Sequence, residues 1–369
     1  MSAGPATASI PLPSGSRLAL RIRAHLWLVG WWAVGRLVVI TGALIVHPSI
    51  WTLGTWDGRW YRMIARDGYL LVPGRQSDPA FFPLYPILLR ALHAVGIGYG
   101  VGGPLLSNLA LLPALIGFFA LTEELVGREL ARRATTYLAI FPLGYAFSMT
   151  YPESVVLALI VAAALAARHG RWWLAAVCGA AAALGRPEAL FLAVPLAATV
   201  WRSRHSLRPL TRGVALGAVV APGAALASYP LYLATVLHDP LAWQRAERAW
   251  GRNFQPLGPV TAFRDLPSVL GADPWLVRDL LALLLYGGLL AAAARIGAPR
   301  SWLVAGAVVV GLPVFSGAFD SIGRFGLLVP PLFWGLASLG RRPHADRAIR
   351  MASLALLVGA TVTLPHVFP

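Results

Sequence analysis

The chain has 369 residues, 57% of them hydrophobic and only 12% charged, with a mean hydropathy of +0.67. A soluble globular domain carries about 25% charged residues, so this composition excludes a water-soluble enzyme. The formal charge of +16 comes from 31 basic residues, all arginine, which lie in short loops between apolar runs; that placement is positive-inside anchoring and not a nucleic-acid surface.

In chain order, residues 1–16 are rich in Pro, Ser, Ala and Gly and are expected to be disordered, with residues 17–369 forming one transmembrane domain. Arg17, Arg21 and Arg23 precede an apolar run at 24–46 that is too long for a signal-peptide core and reads as an uncleaved first span. Further runs follow at 101–121, 134–149, 155–167, 172–184, 189–201, 213–236, 276–294, 302–318, 326–339 and 351–367. The pattern predicts an all-α polytopic integral membrane protein of about eleven transmembrane helices. A β-barrel would need polar residues at alternate positions, which the stretch from Leu303 to Val310 does not have. The segment 81–90, interrupted by Pro83, Pro86 and Arg90, reads as a helix at the outer interface or packed on the bundle. Cys178 is the single cysteine and sits in an Ala-rich run, where packing is its expected role.

With the N-terminus cytoplasmic and the spans alternating, the inner side receives 18 arginines against 4 acidic residues and the outer side 12 against 11. The inner loops are short and basic. The outer side collects the unusual polar clusters, so any chemistry is expected on the extracytoplasmic face of a multi-pass plasma-membrane protein.

The first outer loop is the most informative of these. Trp56, Trp60, Tyr61 and Ile64 recur at helical spacing, and Asp57 falls in the first turn, where a carboxylate complements the helix dipole. Asp57 reads either as a helix start beneath an interfacial aromatic belt or as a general base sheltered by aromatics, beside Arg59, Trp60 and Tyr61, that suit the apolar face of a sugar. Glu153 and Glu188 stand at the outer ends of spans, where an ionisable group is costly unless paired, and Arg186 can pair with Glu188 or bind an anion. Arg36 lies near the middle of the first span and should find a partner inside the bundle. The second long outer loop places Trp243, Glu247 and Trp250 on one helical face and Arg245, Arg248 and Arg252 on another. That face is either solvated or a clamp for phosphate, and Arg324 near Asp320 is a second such candidate. Eight scattered histidines form no paired or Cys/His ligand pattern, and neither a phosphate-binding Gly-Lys loop nor a nucleophile elbow occurs.

The run from Trp56-Asp57-Gly58 to Gly68-Tyr69, then Phe82-Pro83-Leu84-Tyr85-Pro86, Ser107-Asn108, Tyr151-Pro152-Glu153-Ser154, Arg186-Pro187-Glu188 and Gly323-Arg324-Phe325, resembles the PIG-V-type mannosyltransferases, membrane glycosyltransferases of the GT-C fold. The resemblance implies a GT-C-like enzyme with a helical first outer loop. It would move a hexose, mannose foremost, from a polyprenyl-phosphate donor to a glycan or glycolipid acceptor, inverting, without a cofactor, with Asp57 as the base. Where the late motif would have Arg-Tyr, this chain has Arg324-Phe325. Two alternatives stand beside it: a lipid or solute transporter with an outward vestibule, and a transferase for a different sugar.

Overall fold

Prolines and glycines interrupt the apolar runs, and the interruptions shape the architecture. A computed structural model of the chain describes residues 14–46, 50–264, 266, 274–316 and 321–363, and its regular secondary structure there is α-helix and 3-10 turn only. Helix α1 (Ser14–Val46) carries the first apolar run and begins inside the stretch expected to be disordered. Leu18, Ala19 and Leu20 are good helix formers that extend the helix outward from the span. Asp320 lies outside the described residues.

After α1 the chain forms α2 (Asp57–Asp67), the helix expected in the first outer loop. Trp60, Tyr61, Ile64 and Ala65 give it an apolar stripe, and Gly68 ends it at φ 87°, its N–H bonding the Ile64 carbonyl at 3.0 Å. The helix expected at 81–90 is α3 (Leu84–Ala94), which packs on α2 and on the helices at Tyr99–Val126 and Trp172–Gly185. Its Arg90 Nε donates to the Ala65 carbonyl at 2.8 Å. The remaining helices are α4 (Tyr99–Val126), α5 (Arg128–Ala139), α6 (Glu153–Arg168), α7 (Trp172–Gly185), α8 (Ala193–Ser203), α9 (Pro209–Leu237), α10 (Ala242–Ala249), α11 (Gly258–Arg264), α12 (Pro274–Arg295), α13 (Arg300–Gly311), α14 (Ile322–Phe325), α15 (Pro330–Leu339) and α16 (Pro343–Thr363).

These are the helices of a multi-pass membrane protein, and the described residues do not confirm the expected count of about eleven spans. Among the described residues four are long and apolar enough to cross a membrane, at Leu26–Val46, Tyr99–Val126, Pro209–Leu237 and Val277–Arg295. The count rises to six if two bent pairs are each one span: Pro142–Ser148 with Glu153–Arg168 at 95°, and Ile322–Leu328 with Pro330–Leu339 at 89°. The expected run at 134–149 is helical only to Ala139, because Pro142 supplies no N–H and holds Phe141 extended at ψ 142°. Pro187 and Pro330 likewise open 3-10 or helical segments that restart short of full length.

Backbone freed by such breaks needs partners away from water. Arg36 supplies them to the longest break. Its Nη1 donates to the Ser148 hydroxyl at 2.7 Å and the Gly144 carbonyl at 3.2 Å, and its Nη2 reaches the carbonyls of Gly144 at 3.2 Å and Ala139 at 3.4 Å. The interior partners of this arginine are therefore the Ser148 hydroxyl and the main chain of a broken span, whose carbonyls it caps.

Contacts separate two ends of the bundle. At one, Arg168 pairs with Glu124 across α6 and α4, and Tyr137 on α5 donates to Asp346 on α16. At the other, the Thr150 N–H bonds the Leu53 carbonyl at 2.8 Å beside the start of α2. A core cluster with Phe118, Tyr137, Phe333 and Trp334 fills the bundle. A second one, with Tyr61, Phe81, Tyr85 and Tyr229, lies under α2 and α3.

Candidate active site

The breaks in the spans converge on the end that carries α2. Trp56 enters α2 at φ 54°, a region disfavoured for a bulky side chain, and Asp57 follows as the first helical residue. Its carboxylate Oδ2 accepts from Arg324 Nη1 at 2.7 Å, and both side chains are buried. Gly58 makes the approach possible, since a Cβ there would stand 3.1 Å from the Thr150 Cβ.

Arg324 is carried by a short turn that other elements hold. Ser321 adopts φ 64°, and its hydroxyl accepts from Arg324 Nη2 at 3.2 Å. Asp279, buried on α12, accepts the N–H groups of Ser321 at 3.1 Å and Gly323 at 3.2 Å, while the Tyr286 hydroxyl donates to the Gly323 carbonyl at 2.7 Å. The guanidinium carbon lies 5.1 Å from the centre of the Tyr151 ring.

Next to this pair is a second one. Arg186, at the break between α7 and α8, donates from Nη1 to Glu153 Oε1 at 2.6 Å, and from Nε and Nη2 to the two Glu188 oxygens at 3.1 and 3.2 Å. Phe325, the neighbour of Arg324, puts its ring 5.0 Å from the Arg186 guanidinium, so the position where the late motif lacks a hydroxyl holds the second arginine. Among the described residues, Glu153 Oε2 and the Tyr151 hydroxyl have no hydrogen-bond partner.

Asp57 opens onto a cleft of about 670 Å³, which Trp56, Arg59, Trp60, Gln76 and Trp250 also line. Its floor is aromatic: Trp60 stacks on Phe81 at 5.8 Å between ring centres, and Trp250 meets both edge-on at 5.7 Å. Trp250 follows α10, and its indole N–H reaches the Ser77 carbonyl at 3.3 Å, tying the second outer loop to the first. Glu247 on α10 faces Arg252 at 3.8 Å. Burial pushes its carboxyl up to about 7; Arg252 opposes that and Glu188 adds to it.

Of the residues singled out from sequence, Asp57, Arg59 and Trp60 line the cleft, and Arg324, Glu153, Arg186 and Glu188 form the buried charge cluster behind it. Arg252 stands at the edge beside Glu247, and Arg248 is exposed. Tyr61 is buried edge-on against Phe81 and Tyr85, both at 5.3 Å, and belongs to the support of α2. Asp279 was not singled out, although an acid inside the apolar run 276–294 is the same signal that marked Arg36. Among the described residues no three His, Cys, Asp or Glu side chains gather as a metal site.

No family model matches the sequence, and no curated protein matches it, so the likeness to PIG-V-type enzymes rests on the motifs alone. Among solved structures, an archaeal oligosaccharyltransferase of Archaeoglobus fulgidus, in complex with an inhibitory peptide and a dolichol-phosphate, superimposes with a TM-score of 0.48 at 13% identity. The match covers 92% of this chain and 55% of that one, so the chain spans about half that protein's length.

Proposed function

We propose that this chain is a membrane glycosyltransferase of GT-C type, transferring a hexose, mannose by its motifs, from a polyprenyl-phosphate to an acceptor hydroxyl on the extracytoplasmic face. The observation that carries the reading is the buried Asp57–Arg324 pair at 2.7 Å on the wall of an aromatic-floored cleft. Trp60 and Trp250 offer flat apolar surface to a sugar ring. The Asp57 carboxylate takes the proton of the acceptor hydroxyl, whose oxygen forms the new bond to the anomeric carbon as the bond to the phosphate oxygen breaks from the opposite face. Configuration inverts, and the bonding electrons leave with the phosphate. In this reading Arg324, bonded to Asp57 and Ser321, orients the base, and Arg59 at the rim meets that growing negative charge. Arg186 already serves two carboxylates, so in this reading it holds Glu153 and Glu188 and does not clamp phosphate.

The test is transfer of radiolabel from polyprenyl-phosphate-mannose to membrane-extract acceptors by the purified protein in proteoliposomes. Asp57→Asn should lower transfer by about 100- to 10,000-fold while the protein still inserts and keeps a cooperative melt. Retained transfer in Asp57→Asn removes the base. Labelled lipid moved across the bilayer without transfer identifies a transporter instead.

A further inference from the structure

The arginine-rich end holds a groove that the chemistry above does not use. It has a volume of about 210 Å³ and forms where α1, α5 and α16 meet, lined by Trp27, Trp31, Arg132, Arg133, Asp346 and Arg350. Trp27 and Trp31 are one turn apart on α1, at the start of its apolar window. Each indole carries a guanidinium: Arg132 lies 5.4 Å from the Trp27 ring and Arg350 lies 5.3 Å from the Trp31 ring. Stacking of this kind fixes the direction of the remaining N–H donors.

The charges do not cancel within the groove. Arg133 is paired with Glu129 at 2.6 Å, and Arg350 with Asp346, which also accepts from Tyr137. Arg132 has no carboxylate partner among the described residues and is exposed. On two of the helices that form the groove, Leu26 and Val29 of α1 and Met351 of α16 are exposed apolar side chains. A ligand matching both features has an anionic head and an apolar tail. Indoles at a span boundary and arginines just beyond it are where phospholipid headgroups lie.

We propose that this groove binds the phosphodiester headgroup of an acidic glycerophospholipid, with Arg132 as the principal contact and the acyl chains along the exposed faces of α1 and α16. The site does not depend on the reading of the cleft at the other end. The experiment is native mass spectrometry of the full chain released from nanodiscs of mixed phosphatidylglycerol and phosphatidylcholine. The wild type should retain phosphatidylglycerol preferentially, and Arg132→Gln should lower that retention about fivefold. Arg132→Lys, which keeps the charge but loses the planar stack on Trp27, should recover only part of it. The control is Arg204→Gln: Arg204 stacks on Trp201 at 4.0 Å, belongs to the same basic surface and lies outside the groove, so its loss should change little. Equal losses in Arg132→Gln and Arg204→Gln would mean a diffuse field and overturn the site. So would equal retention of the two lipids, or displacement of the lipid by inorganic phosphate, which would mark a pocket for a soluble anion.

Discussion

At the arginine-rich end, Arg168 meets Glu124 at 2.6 Å with side chains 29% and 30% exposed; at the opposite end Arg186 meets Glu153 at the same distance with exposures of 10% and 0%. The distance is identical and the energetics are not. A half-exposed pair gains little, because water competes for both partners. A buried pair has already lost its hydration, so each partner depends on the other to offset that loss. One end therefore leaves its arginine pair partly in water, whereas the other has assembled Asp57, Arg324, Glu153, Arg186 and Glu188 where ionic groups are costly to keep. Charges kept at such a cost are the ones the proposed function draws on.

The sharpest way to break this comparison is Arg186→Leu. It strands Glu153, which is fully buried, together with Glu188, and the expected loss is about 3–5 kcal/mol by denaturant or thermal unfolding in detergent. Replacing both glutamates by leucine in the same background should recover much of that loss. Recovery of stability without transfer would separate the cost of the cluster from its use. Next in size is Asp279→Ala. It deprives the buried N–H groups of Ser321 and Gly323 of their acceptor, for about 1–3 kcal/mol. Because that turn aims Arg324 at Asp57, transfer should fall on the order of 100-fold. Asp279→Asn, with one acceptor oxygen left, should fall between this variant and wild type in both measurements.

The parts of this arrangement that were legible in the sequence are those that violate a local rule. Glu153, Glu188, Arg186 and Arg36 stand out because ionisable residues at or inside apolar runs conflict with their surroundings, and Asp57 because it opens a helix, α2, that announces itself by helical spacing of aromatics. The pairing of Asp57 with Arg324 joins residues 267 positions apart and leaves no trace in spacing. Asp279 carried the same signal as Arg36 but lay near the start of its run, where an acid reads as part of the loop. The breaks are a subtler case. Hydropathy sees 134–149 as one apolar run, while Pro142 divides it and Arg36 satisfies the carbonyls of the division. Composition reports that a segment is apolar, not that its helix continues, so a count of runs overstates the count of full-length helices.

Glu247 offers a smaller effect that sharpens the comparison through pH. Its ordinary value is 4.5, and its burial in the docked α10 lifts it to about 7, so the closed arrangement holds the proton more tightly than the open one. Opening of α10 releases that proton. As pH rises from about 5 to 7, opening should become easier by up to about tenfold per unit and then level off, the direction required when the folded form binds more protons. Amide exchange of residues 242–250, corrected for intrinsic rates, measures this directly. Glu247→Gln should flatten the profile, and a profile already flat in the wild type would mean that the carboxyl is not buried when α10 is docked.

The smallest effect is expected at the other end. Arg168→Gln removes the 2.6 Å pair with Glu124, yet Glu124 keeps water and the His169 ring, whose Nε2 lies 3.0 Å away. The predicted loss is below about 1 kcal/mol and should shrink further as salt is raised. A loss as large as that of Arg186→Leu would show that partial exposure does not decide what these ion pairs are worth, and the contrast between the two ends would then have to rest on geometry alone.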